Sequence, residues 1–428
     1  MLSIKKNMTY QNRDKTQNYW QLTCIQTASL GFPGVAISHQ FVDHYGINAA
    51  FPSILLSGLI LWLVGFAIIS MAIEQRRNAI ENAEVYIGRF GAILVSLISA
   101  IGFPIWYIFQ THNTSTSIYN VLHGPQGINS FILSVYGIIL GFFVAILALG
   151  NSIQKIKKIN TYFLPILLCY YLYVLYSSDE IYFPRKFELS LSCTISYISL
   201  FFPGMVNLPT FFRHARSKYD AYLSLTFITL IIVFFQIVNI WINPNLLTGT
   251  IFKIPSASSY LGQLLIKLTS IIFLVTALIC SNLVNLYFSF PSWEMLICWM
   301  KDYFKLFFIG VISTIIYILI RVFPKFYQPM IDLNLTADDF IANLGVSLIL
   351  IFLVRTIVMH RPNPMEKSIS LLSWLVGSTM TLYAEIQNFR APLISGIGAT
   401  VLFFAVCFYF EEPFWSMKKL KEWIKNNS

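Results

Sequence analysis

Charge is scarce in this sequence. Only 11% of its 428 residues are Asp, Glu, Lys or Arg, and just 19 are acidic. A soluble domain carries about 25% charged residues, because its surface must face water. A chain with less than half that share cannot coat itself for water, which excludes a soluble multidomain protein. Cysteine is sparse as well. Cys24, Cys169, Cys193, Cys280, Cys298 and Cys407 stand singly, without metal-ligand spacing, and read as small apolar packing residues. The sequence also lacks a Walker motif, a His-Glu-x-x-His pair and a nucleophile elbow. ATP hydrolysis and the common hydrolytic chemistries are thereby excluded, and neither an enzyme nor a cofactor is expected. Residues 1–18 are polar and lack the apolar stretch of a cleavable signal peptide.

What is abundant is hydrophobic length. Apolar residues make up 56% of the chain, and Phe alone occurs 37 times. A bilayer core about 30 Å thick needs about 20 apolar residues in a helix. Twelve such runs are present, at 19–38, 47–72, 88–111, 129–150, 159–177, 191–212, 221–243, 261–290, 304–321, 337–358, 368–387 and 391–410. Only Asn388 to Arg390 divide the last two. The net charge of +10 sits in short loops between runs rather than on one face, which points away from nucleic acid and toward lipid. With the N-terminus inside, 22 of the 29 basic residues fall in internal segments and six in external ones. The positive-inside rule predicts that asymmetry, so both termini are expected on the cytoplasmic side of a cytoplasmic (inner) membrane.

Two runs are interrupted. The first contains Gly31-Phe32-Pro33-Gly34, and the sixth contains Pro203-Gly204 followed by Asn207-Leu208-Pro209. Proline removes a backbone donor and clashes with the preceding turn, while glycine tolerates what results. Spans one and six open two halves of five spans each, and an odd number per half puts the halves in opposite orientation. Interrupted segments at matching places of inverted repeats are the best sequence pointer to a transporter's site. The expected architecture is therefore an all-α membrane protein with a five-plus-five inverted repeat and broken first and sixth helices. A tail (1–18) precedes the first repeat (19–177) and the second (191–358). Two peripheral helices (368–410) and a basic tail (411–428) follow.

The residues after the sixth span carry a resemblance. Asn207-Leu208-Pro209-Thr210-Phe211-Phe212-Arg213-His214-Ala215-Arg216-Ser217-Lys218-Tyr219-Asp220 resembles the signature Asn-x-Pro-Asp-x-x-Arg-x-Ala-Lys-Ser-x-x-Asp of the nucleobase–cation symport family, whose members include purine, cytosine, hydantoin, allantoin and thiamine permeases. The spacing matches without a gap. Thr210 departs from it, standing where the family usually has Asp. Arg89-Phe90-Gly91, Trp106 with Gln110, Ile25-Gln26 and Asn285-Leu286-Tyr287 are similar to family segments in the same order, so the resemblance covers residues 19–290.

That resemblance implies a substrate site in which Trp106 stacks on one face of a planar heterocycle and Phe201 on the other. Gln26, Gln110 and Asn285 would read the ring's edge. It also implies a cytoplasmic gate at Thr210, Arg213, Ser217 and Asp220. The residues themselves fit such a ligand: Gln110 follows Trp106 by one helical turn and shares its face, and a flat neutral ring wants aromatic faces and carboxamides at its rim. Sodium-coupled relatives hold the ion between first-span carbonyls and eighth-span hydroxyls. Here Leu22 and Ile25 would give the carbonyls, with Cys280 and Ser281 opposite. One hydroxyl and a thiol make a poor shell for a hard cation, so either Na+ or H+ is left as the coupling ion. The expected function is import of a nucleobase or related heterocycle by a monomer working through alternating access. An amino-acid permease of the same architecture and a transport-dead receptor are the alternatives.

Overall fold

The computed structural model describes residues 17–28, 38, 41–124, 129–149, 153–176, 183–241, 260–297, 302–322, 345, 348–353, 364–387 and 392–410. Eleven helices are named among them: α1 (Tyr19–Ala28), α2 (Ile47–Gln75), α3 (Ala79–His123), α4 (Ser130–Leu147), α5 (Ile153–Tyr176), α6 (Leu191–Phe212), α7 (Lys218–Trp241), α8 (Tyr260–Leu296), α9 (Asp302–Val322), α10 (Pro364–Ile386) and α11 (Pro392–Phe410). They fall on the hydrophobic runs of the sequence. Of the tenth run, residues 348–353 are helical. Six of the helices are long and apolar enough to cross a membrane.

The helices are apolar on both faces, as lipid requires. On α2, Ile54, Gly58, Leu61, Gly65 and Ile68 are buried, while Leu55, Leu59, Leu63 and Phe66 are exposed on the other side. Such a row of bare leucines is untenable in water and ordinary against acyl chains. The protein is thus a multi-pass membrane protein.

Packing follows a rule. α2 lies against α7, α3 against α8, and α4 against α9, so these three helices each meet the one five places later. Two hydrophobic cores result. One joins α2, α6 and α7 with the first part of α3, residues 348–352 and Trp374. The other joins α4, α5, α8 and α9 with the middle and end of α3, Phe211 of α6, and Phe235 and Val238 of α7. α1 belongs to both, placing Leu22 in the first and Cys24 and Ile25 in the second.

Polar side chains stitch these contacts. Ser57 donates to the Thr194 carbonyl at 3.1 Å, Trp62 to Thr226 at 3.1 Å, and Tyr107 to the Gly141 carbonyl at 2.6 Å. Each such bond between membrane helices is worth about 0.6–2 kcal/mol. Small residues let backbones approach: Gly137 and Gly141 of α4 face Tyr317 and Thr314 of α9, and a Cβ at Gly137 would fall within the Tyr317 ring.

Three features differ from expectation. The helix holding the third run starts nine residues earlier, at Ala79, and bends at Gly88 (φ 80°), a left-handed conformation that suits glycine. Asn78 caps its start in a reciprocal pair with Glu81. The expected break in the sixth span is corrected: Leu191–Phe212 is helical throughout, Pro203, Gly204, Asn207 and Pro209 included. Each proline costs the helix one amide donor but need not end it, because protein neighbours can satisfy the freed carbonyl. The helix stops only after Phe212, where Arg213 and His214 form a turn. In the first span, Gly31, Pro33 and Gly34 lie outside the described residues. Finally α10, expected at the periphery, packs on α3 and buries Trp374 in the first core.

Gly137→Ala should destabilise the protein by about 1–3 kcal/mol through overpacking. Gly398→Ala, whose Cβ would meet open space, should leave stability unchanged. Thermal unfolding in detergent compares the two.

Candidate functional site

The two cores leave a cavity where α3 meets α6. Val95, Ile98, Ser99, Gly102, Phe103 and Trp106 line it from α3, and Val206 and Asn207 from α6. Gly345, Leu348 and Trp374 complete the wall. Its volume of about 40 Å³ holds a few waters. The α3 residues recur every three or four positions because they share one helical face. Trp106 is half-buried and meets Phe109 edge-on at 5.8 Å. The wall offers one carboxamide and one hydroxyl, with no ionisable side chain among its residues.

Of the expected substrate residues, Trp106 borders this cavity and the others lie elsewhere. Gln110 and Asn285 do come together, but with each other: Asn285 Nδ2 donates to Gln110 Oε1 at 3.1 Å and faces Asn282 Oδ1 at 3.5 Å. Asn282 in turn donates to Thr111 at 3.1 Å and to the Tyr107 carbonyl at 3.3 Å. This chain of amides spans α3 and α8 one turn from Trp106. Phe201 stacks obliquely on Tyr197, centroids 4.9 Å apart, and packs on the first core. Gln26 is buried on α1. Two wall residues, Asn207 and Trp374, were not among the expected substrate residues. Asn207 was read as part of the sixth-span interruption and of the motif that follows it, and Trp374 sits in a run that carries no motif at all.

The expected cation residues Leu22, Ile25, Cys280 and Ser281 are all buried. The Ile25 carbonyl accepts from Asn160 Nδ2 of α5 at 3.1 Å. Ser281 donates to the Leu278 carbonyl of its own helix at 3.2 Å.

The signature motif forms a clasp on the start of α1. Gln17 donates to the His214 carbonyl at 3.2 Å and accepts from Arg216 N at 2.8 Å, a single parallel bridge. Asp220 Oδ1 accepts the Tyr19 amide at 3.1 Å, while Oδ2 accepts Ser217 at 2.6 Å and Arg216 at 3.3 Å. A carboxylate at a helix N-terminus meets free amides and the positive dipole end. Arg76, left-handed at the end of α2, donates to the carbonyls of Arg213 and Ala215 at 2.7 and 2.6 Å. Burial pushes its guanidinium below the ordinary value. Arg213 is itself buried and pairs with Glu81 at 3.6 Å, so its acid comes from α3. Thr210, in the position where the signature has Asp, is buried with no partner for its hydroxyl.

The arrangement of these helices matches that of solved transporters. Mhp1 in an inward-facing conformation superposes with a TM-score of 0.63 at 15% identity, over 94% of this chain and 93% of that one. The chain has an inverted-repeat transporter fold. Mhp1 is described as a nucleobase–cation-symport-1 family transporter and has also been solved closed on bromovinylhydantoin, so its family is the one the signature motif resembles. A Na+-coupled sialic acid symporter in a substrate-bound outward-open state matches with a TM-score of 0.64 at 14% identity, over 91% and 89% of the two chains. MhsT in complex with L-phenylalanine matches with a TM-score of 0.61 at 14% identity, over 92% and 99%. No protein-family model matches the sequence, and no curated protein does.

On this transporter fold the clasp can be tested directly. Asp220→Ala removes charge-assisted bonds worth about 1.5–3 kcal/mol. Amide hydrogen exchange over residues 19–28 should then quicken roughly ten- to a hundredfold. Lys218→Ala, which breaks an exposed pair with Glu74 at 2.9 Å, should change it little.

Proposed function

We propose that this chain is a secondary transporter that carries a nucleobase or a related planar heterocycle across the cytoplasmic membrane by alternating access. The observation that carries the reading is the cavity between the two cores, walled by two tryptophans and free of ionisable side chains. A charged cargo would need a counter-charge or exposed backbone there, whereas a flat neutral ring needs aromatic faces and a few amides. Trp106 and Trp374 serve as the faces, and Asn207 supplies a carboxamide. The amide chain Gln110–Asn285–Asn282 adjoins the site, and its members exchange their mutual bonds for bonds to the ring edge when cargo enters. Gln26 and Phe201 act as supports on α1 and α6.

The clasp at Thr210, Arg213, Ser217 and Asp220 is the inner gate. With both termini cytoplasmic, as the distribution of basic residues favours, it closes the inward path by holding α1 against α7. Release of Tyr19 from Asp220 frees α1 to swing. One monomer holds the whole site, and the bilayer is its other partner. The amino-acid reading, to which the MhsT likeness lends its fold, is weakened by the lack of charge in the cavity wall.

Stacking a base on an aromatic side chain is worth about 1–3 kcal/mol. Trp106→Ala and Trp374→Ala should therefore each lower apparent affinity roughly ten- to a hundredfold while the protein still inserts. Proteoliposome uptake of labelled uracil, cytosine, purines, hydantoin and thiamine, with phenylalanine as comparator, measures this. Uptake of phenylalanine alone, or wild-type uptake in both variants, would remove the proposal.

A further inference from the structure

α5 buries one stripe against its neighbours: Ile156, Asn160, Leu164, Leu167 and Tyr171, spaced every three or four residues. Four of the five belong to the second hydrophobic core. Asn160 is the exception, a carboxamide with no exposure at a position where a leucine of nearly the same shape would continue the pattern. Its Nδ2 crosses to α1 and donates to the Ile25 carbonyl at 3.1 Å, with both residues fully buried. Its Oδ1 is buried without a hydrogen-bond partner.

The Ile25 carbonyl is one of the two, with that of Leu22, that the sequence offered as cation ligands. A hard cation needs several oxygens at once, each with lone pairs directed at it. Here one of them already receives the positive end of an amide. The eighth-helix side contributes a thiol at Cys280 and a hydroxyl whose proton points at Leu278. One turn before Asn160, the Lys157 ammonium lies 3.5 Å from Gln21 of α1 and adds positive charge to the approach.

We propose that the Asn160 carboxamide takes the place of a coupling cation at the junction of α1, α5 and α8, so that this carrier does not bind sodium there. The Nδ2 group supplies the partial positive charge that holds α1 to α5, and it does so without an ion that must enter and leave. The proposal rests on the chain being a carrier and is indifferent to which cargo it moves. It also makes the site convertible. In Asn160→Asp a carboxylate oxygen replaces Nδ2, and two oxygens about 3.1 Å apart can share one hard cation at about 2.4 Å from each.

The experiment uses the full-length protein in nanodiscs and needs no cargo. Saturable binding of radioactive sodium is measured, together with the melting temperature in sodium chloride against choline chloride at equal ionic strength. Wild type should bind no sodium and melt at the same temperature in both salts. Asn160→Asp should gain saturable binding and a sodium-dependent rise in melting temperature. Asn160→Ser, smaller and also a hard-oxygen donor, gives the same reading if the aspartate variant does not fold. Sodium binding by wild type would overturn the proposal. So would folded Asp and Ser variants that still ignore sodium, since Asn160 would then be only an interhelical hydrogen bond. A failed cargo panel would leave both readouts standing.

Discussion

No water reaches the hydrocarbon core, so each backbone amide there must find its partner inside the protein. Helices meet that demand by themselves, and the consequences run through this molecule. Serines and threonines along α3 bond back to carbonyls four residues earlier, as Thr111, Ser115 and Ser117 do, and so cost their neighbours nothing. Polar groups that reach beyond their own helix mark places where two elements are held to each other. Ser57 and Trp62 hold α2 to α6 and α7, and Asn282 holds α8 to α3.

This economy separates the helices into two packed groups. Pairing of α2 with α7 belongs to one group, and pairing of α3 with α8 and α4 with α9 belongs to the other. α1 is shared between the cores, with Leu22 in one and Cys24 and Ile25 in the other. An element in that position feels any relative displacement of the groups. Its polar ties fit the role: Asp220 at its first amide, Ser224 against Thr23 at 3.2 Å, and Asn160 near its last turn. Three neighbours on α7 and α5 thus set where α1 stands.

The sequence made the helices readable because length and hydropathy are local properties, and lipid enforces them strictly. The motif from Asn207 to Asp220 was readable for a related reason: a clasp built from adjacent residues keeps its spacing. Other features depend on distance in the chain and were not readable. Pro203 and Pro209 suggested an interruption, but whether a proline breaks a helix depends on what surrounds it. Trp374 sits in a plain apolar run 268 positions after Trp106, and nothing local tells a wall residue from a lipid-facing one. Gln110 and Asn285 were expected to read a ring's edge, and their mutual bond needed the α3–α8 contact to be seen. Glu81, the acid partner of Arg213, stood in a stretch that offered no reason to look.

Glu81 has a wider meaning. The same oxygen, Oε2, accepts the Asn78 amide at 2.8 Å and faces Arg213 at 3.6 Å. One atom therefore finishes the beginning of α3 and also balances the turn that follows α6. If that turn withdraws, the guanidinium leaves, and the carboxylate must find water or another cation to keep its place in the cap. The first coil of α3 up to the bend at Gly88 is thereby tied to the turn after α6. A change at that turn would therefore be felt in the cap of α3, far along the chain from the residues that made it.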